Sequence, residues 1–253
     1  MEGNGADLRS ILSLDSELNQ IQDVDLLLER ILLEARKVVH ADAGSIYVID
    51  REREQGLEVE KLVIKYAQNE TTQKSLPPGQ KMIYSVFSVP INEKSVSGYA
   101  ALTRKLINVP DMYCIPEDAP YSFSPSYDQI SGYKTISTLT IPLATADGRL
   151  LGVIQVINSK DKEGRVIPFS QDDEFLITHF AANATTVLQR AYATRAMILR
   201  MIRMSELRDP KETGTHVNRV AGYAVEIYER WAYHHGVSDT EREKFRDTLR
   251  VAA

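Results

Sequence analysis

Glu212 and His216 stand four residues apart. On a helix, positions i and i+4 share a face, so this carboxylate and imidazole could converge on one ion. The donor pair suits iron or manganese. Such an ion can lower the pKa of a bound water and so activate it. The same spacing is also ordinary on a solvated helix face, and a catalytic metal site needs three or more protein ligands. Alone, the pair predicts weak metal binding and no catalysis. His234 and His235 fall near an expected helix C-terminus, where the helix dipole is a sufficient account. His40 and His179 have no evident partner. Cys114 lies in an irregular segment and reads as a surface thiol, with a redox or haem contact as the sharper alternative.

That irregular segment is Pro110 to Gly132 (PDMYCIPEDAPYSFSPSYDQISG). It is rich in proline and aromatics and has neither helical nor strand period. A loop this long in a compact domain is usually functional or disordered, and its aromatics argue against disorder. It is expected to be a structured lid or pocket wall.

Regular elements must position it. Asp23 can cap a helix whose apolar face is Val24, Leu27, Leu28, Ile31, Leu32, Ala35, Val38 and Val39, ending near His40. Ala43 to Asp50 and Glu58 to Ala67 read as a hairpin around the charged turn Arg51 to Gly56. Met82 to Val89 reads as extended, Lys94 to Lys105 as a short helix, and Leu106 to Val109 as a short strand. Thr135 to Ala144 and Leu150 to Asn158 form a second hairpin around Asp147-Gly148, the strongest short hairpin signal. Ser159 to Phe169 is a polar connector. Asp172 to Leu207 then runs without Pro or Gly. At 1.5 Å per residue this helix would extend roughly 50 Å, more than one small domain can cover. Its stripe (Ile177, Phe180, Ala181, Ala184, Val187, Leu188, Ala191, Ile198, Met201, Ile202) predicts a homodimer through residues 172–207, with small residues allowing close approach. Arg208-Asp209-Pro210 breaks it. A helix follows with Val217, Val220, Ala221, Ala224, Ile227, Tyr228 and Trp231 as its expected buried stripe, closed by Gly236. Ser238 to Glu241 is a capping box for another helix.

The chain has 253 residues, 43 % hydrophobic and 26 % charged, with net charge −5. This is ordinary globular composition, and the mild acidity with no basic run excludes a charge-driven nucleic-acid partner. One cysteine allows no internal disulfide, no apolar run is long enough to cross a membrane, and the N-terminus lacks a signal-peptide core. A cytoplasmic protein is expected. The fold class is α+β: a mainly antiparallel sheet with flanking helices, then a long linker helix and an incomplete all-helical piece.

Ser97-Gly98-Tyr99-Ala100-Ala101, Leu106 to Asp111, Asp128 to Thr135, Leu139 to Pro142 and Gly152 to Asn158 resemble the GAF domain family, most closely the GAF domains of cyclic-nucleotide phosphodiesterases and their bacterial relatives. Those carry an Asn-Lys … Phe … Asp-Glu signature. Asn158, Phe169, Asp173 and Glu174 stand at matching positions, whereas Ser159 replaces the lysine and Lys160 comes one place later. In the family that lysine pairs with the motif's aspartate. The resemblance implies a GAF sensor over residues 21–171, after a helical extension at 1–20, and a small-molecule pocket between sheet and loop. Its expected contacts are Ser97, Asn108, Asp111, Phe123, Asp128, Thr135, Ser137 and Gln155, with a cyclic nucleotide as one candidate ligand. The loop's aromatics could equally plug the domain.

Arg208 to Val220 resembles the start of an HD-GYP domain, a family that hydrolyses cyclic di-GMP at a two- or three-metal centre. The resemblance implies that residues 208–253 are an N-terminal fragment of that domain, with Glu212 and His216 as metal ligands. The His-Asp pair and the Gly-Tyr-Pro motif that follow in the family are not among these residues, so this stretch alone is expected to be inactive. The competing expectation is a non-enzymatic GAF module for dimerisation or protein contact.

Overall fold

The computed structural model describes residues 18, 21, 23–54, 57–77, 87–208, 213–238, 241–242, 245–246 and 248–249. The expected helical extension at 1–20 lies outside these, apart from Leu18, as do the extended stretch before Phe87, the hairpin turn at 55–56 and Glu212. The described chain forms two compact units, 1–192 and 193–253.

The first unit is built on one sheet. Helix α1 (Val24–Val38) is capped by Asp23, whose carboxylate accepts from the Leu26 amide. Strands β1 (Ala41–Glu54) and β2 (Leu57–Asn69) pair antiparallel from Ala43 to Glu54, with a register shift between Ile46 and Tyr47. The short helix α2 (Glu70–Ser75), capped by the Asn69 side chain, follows. Then come β3 (Ser88–Pro90), α3 (Val96–Thr103) and β4 (Ile107–Val109). A 3-10 turn at Met112–Cys114 and helix α4 (Ser126–Ser131) interrupt the segment expected to be irregular. Strands β5 (Thr138–Ala144) and β6 (Leu150–Lys160) form the second hairpin, and β7 (Val166–Ile167), inside the expected connector, pairs back onto β6. The strand order is β3-β2-β1-β6-β5-β4, with antiparallel pairings.

Strand alternation decides which side of the sheet each residue serves. Ile46 and Val48 of β1, Leu139, Ile141 and Leu143 of β5, and Ile154 and Val156 of β6 pack under α1 and the first half of α5 (Gln171–Arg208). This is the main core. Burying each such aliphatic side chain contributes about 1.5–3 kcal/mol. Tyr47 and Val153 point the other way, into a smaller cluster with Ala101 of α3. Gly152 is required where β6 crosses β1: a Cβ there would lie 2.1 Å from the Tyr47 carbonyl oxygen.

Helix α5 is continuous over its 38 residues, as expected. Its stripe is buried from Ile177 to Ala191, while Ile198 and Met201 are exposed. In the second unit, α6 (Thr213–His234) departs from expectation. Ala221 is buried, but Val220, Ile227 and Trp231 of the supposed core stripe are exposed. The periodicity identified an apolar face correctly, but it is only partly covered: Tyr228 packs against Phe245, with ring centroids 4.7 Å apart, while Val220, Ile227 and Trp231 stay exposed. Ser238 and Glu241 do form the capping box, the Ser238 hydroxyl donating to the Glu241 carboxylate and accepting from its amide.

Candidate functional site: the sheet face beneath α3

Helix α3 is held close over β5 and β6 by a short approach at its start. The Ser95 hydroxyl caps the Gly98 amide, and a Cβ on Gly98 would meet the Pro90 carbonyl oxygen at 2.5 Å. The close seat brings Ser97, 6 % exposed, down onto the sheet. Its hydroxyl donates to Gln155 Oε1 at 3.3 Å, which also accepts from the Tyr47 hydroxyl at 3.5 Å. Thr140 stands opposite Gln155 in the β5–β6 register. Thr140 is 0 % exposed and its Oγ1 has no hydrogen-bond partner. An orphaned buried hydroxyl costs about 1–3 kcal/mol, so this interior is polar beyond what its own residues satisfy.

The other expected contacts divide among separate jobs. Asp128 accepts from the Tyr113 hydroxyl, the Thr135 amide and the Thr135 hydroxyl at 2.8, 2.6 and 2.8 Å. It thereby closes the lid onto its own stem, and the hydrogen bond pushes the Tyr113 phenol up. Asp111 caps the 3-10 turn through the Tyr113 amide. Its hydrogen bond also pushes the exposed Cys114 thiol up, which makes the thiolate scarce at neutral pH. Phe123 packs edge-on against Tyr113, with ring centroids 5.3 Å apart. It also lines an open cavity of about 550 Å³ with Lys94, Met112, Ile115 and Tyr121. The Ser137 hydroxyl donates to the Ile167 carbonyl. Asn108 donates to the Phe169 carbonyl and to Glu174 at 3.0 and 2.7 Å. Ser97 and Gln155 thus meet directly, Asp128 and Thr135 meet within the lid, and Asn108 and Ser137 hold backbone and helix ends.

Of the motif residues, Asn158 anchors the lid stem. Asn158, 2 % exposed, adopts φ 58° at the end of β6. Its Oδ1 accepts from the Ile136 and Ser137 amides, and its Nδ2 donates to the Tyr133 hydroxyl and the Lys134 carbonyl. Asp173 accepts from the amide and hydroxyl of Ser170. The displaced lysine has a different partner: Lys160 Nζ lies 2.6 Å from Asp42 Oδ1 on β1. Burial disfavours an ionised Asp42, but hydrogen bonds from Lys160, Thr71 and Tyr133 outweigh it and hold the carboxyl below the usual range. Burial, reinforced by the bond to Asp42, pushes the Tyr133 phenol far up, so it stays a neutral donor. Sequence reasoning missed Thr140, Tyr47, Asp42 and Tyr133. The alternation of β5 carried a signal for Thr140, since Leu139 and Ile141 place it on the opposite face.

Among the described residues no group of three or more His, Cys, Asp or Glu is placed to hold a metal. Glu212 and the His216 side chain lie outside them. No described helix is long and apolar enough to cross a membrane.

A family model for the GAF domain matches residues 23–188. The chain belongs to the GAF domain family. It is 31 % identical over 163 residues to a dual 3',5'-cyclic-AMP and -GMP phosphodiesterase 11A of Takifugu rubripes, a match covering 64 % of this chain and 16 % of that protein. Similar solved structures include residues 122 to 287 of a methyl-accepting chemotaxis protein, at 20 % identity and TM-score 0.52, covering 72 % of this chain and 98 % of that one. The GAF domain of an Acinetobacter phosphoenolpyruvate-protein phosphotransferase matches at 17 % identity and TM-score 0.51, covering 76 % and 98 %. At such identities the likeness is one of fold. The match to the phosphodiesterase spans under a fifth of that relative's length.

Proposed function

We propose that this chain is the sensing segment of a signalling protein, and that its GAF domain binds a small ligand with polar edges at the sheet face beneath α3. A cyclic mononucleotide is the first candidate, as the phosphodiesterase relative supports. The observation that carries this reading is the fully buried, unpartnered Thr140 hydroxyl opposite Gln155, next to the Ser97 contact. A ligand's donor or acceptor would satisfy it, and ligand pockets characteristically combine apolar walls with a few convergent polar groups.

The signal leaves through α5, whose start carries Asp173 and Glu174 and whose second half exposes Met197, Ile198, Leu199, Met201 and Met204. These support a homodimer through residues 172–207. The effector is an HD-GYP cyclic-di-GMP phosphodiesterase that begins near Arg208, on the strength of the sequence resemblance at 208–220. Glu212 and His216 would be two of its metal ligands, and iron or manganese would supply the water-activating charge. The setting is the cytoplasm.

Calorimetric titration of the purified chain with cyclic AMP, cyclic GMP and cyclic di-GMP tests the sensing claim. Saturable binding of a cyclic mononucleotide, lost in Gln155→Ala, is expected. Absence of heat and of any thermal shift with all three would leave a module for dimerisation or protein contact.

A further inference from the structure

Asp42 is the meeting point of segments far apart in sequence. Its side chain is 3 % exposed, yet it is ionised and accepts three hydrogen bonds. Lys160 Nζ donates from the end of β6 at 2.6 Å, the Thr71 hydroxyl from α2 at 2.7 Å, and the Tyr133 hydroxyl from the lid stem at 2.8 Å. Lys160 Nζ also reaches the Thr71 hydroxyl at 2.9 Å. From α1, Arg36 donates to the Asp42 backbone carbonyl at 2.6 Å and lies 3.7 Å from the Glu70 carboxylate.

Two of these segments, the lid stem and α2, differ in what else holds them: the stem is also tied by Asn158, by Asp128 through Thr135 and by the Ile167 carbonyl through Ser137, whereas α2 rests on polar contacts. Helix α2 has six residues and buries none of them. So short a helix does not persist on its own, and its docking depends on the polar contacts at its start. The stem at Tyr133 is tied at one side by Asn158, whose Nδ2 donates to the same hydroxyl that donates to Asp42. Hydrogen bonds in such a chain polarise one another, and each is stronger while water is kept out.

We propose that the Asp42 carboxylate couples the lid stem (residues 133–137) to helix α2, so that the two open together rather than independently. Release of Tyr133 lets water reach a carboxylate that is otherwise enclosed. The Thr71 and Lys160 bonds then weaken, and α2 loses its anchor. The lysine that stands one place late in the family motif therefore has a job of its own: it keeps the shared acceptor ionised. The coupling does not depend on which ligand the domain binds, or on whether it binds one.

Native-state hydrogen exchange on the full chain tests this with Tyr133→Phe, Thr71→Val and Asp42→Asn. Tyr133→Phe is expected to accelerate amides 72–76 as well as 133–137, each by roughly tenfold, the effect of losing a hydrogen bond to a charged group. Thr71→Val is expected to accelerate both segments in return, and Asp42→Asn to do so most strongly. Amides 180–188 of α5 are the internal control and should not change. Acceleration confined to the mutated segment overturns the proposal. So does equal acceleration at 180–188, which would mean only general destabilisation.

Discussion

Replacing Asn158 separates two contributions that the structure superimposes at one residue. Asn158→Ala removes the acceptor for the Ile136 and Ser137 amides and the donor for the Lys134 carbonyl and the Tyr133 hydroxyl. The Ser137 amide is buried, so it has little access to water in compensation. Each stranded buried group costs about 1–3 kcal/mol. Alanine must also hold φ near 58°, which costs an L-residue about 1 kcal/mol or somewhat more. Allowing for partial relaxation, the expected loss is about 3–6 kcal/mol, or a fall in Tm of roughly 6–24 °C at about 2–4 °C per kcal/mol for a domain of this size. Asn158→Gly removes the same hydrogen bonds but accepts the backbone angle, so it should be about 1 kcal/mol more stable than the alanine variant. Asn158→Asp keeps an acceptor for the two amides but sets a carboxylate against the Lys134 carbonyl, and should fall between glycine and native. Urea and thermal unfolding followed by circular dichroism measure all three. An alanine variant within 1 kcal/mol of the native protein, or a glycine variant less stable than alanine, refutes the reasoning.

Further predictions concern the charge network and the sheet. The Asp42 pKa is lower in the fold than the unfolded value of about 3.9, so the ionised group stabilises the fold above that value and the contribution is lost as pH falls through the folded pKa. Urea unfolding from pH 5 to pH 2 should show this loss, and Asp42→Asn should flatten that part of the profile. Lys160→Met should destabilise by about 2–4 kcal/mol at pH 7, because it leaves the buried carboxylate without its cation. Adding Asp42→Asn to Lys160→Met should restore part of that loss, and strict additivity in the unfolding cycle would count against the ion pair. Gly152→Ala should lower Tm by more than about 10 °C or prevent soluble expression, since its Cβ would lie 2.1 Å from the Tyr47 carbonyl oxygen.

The elements that local chemistry specifies could be read from the sequence. Asp23 does cap α1, Asp147-Gly148 does turn the second hairpin, and the run without Pro or Gly is one helix. Face parity was harder to read. Asn108 lies opposite Leu139, and Leu139 belongs to the core under α1 and α5. Asn108 accordingly serves Glu174 rather than the α3 side, and only the β4–β5 register reveals this. Contacts between distant residues left no local trace. Lys160 finds Asp42 across 118 positions of sequence, and Tyr133 finds it across 91. The α6 stripe shows the converse: a period of 3.6 reports an apolar face but not what covers it.

The claim that the sheet face beneath α3 is a ligand site is tested most directly by following the Gln155 side-chain amide by NMR during titration with cyclic GMP and, separately, cyclic AMP. The account predicts saturable shifts at that amide and at the backbone amides of Ser97 and Gly98 with at least one of the two nucleotides. Unchanged signals at all three positions with both nucleotides, or shifts confined to Lys94 and the outer wall at 112–125, would contradict it.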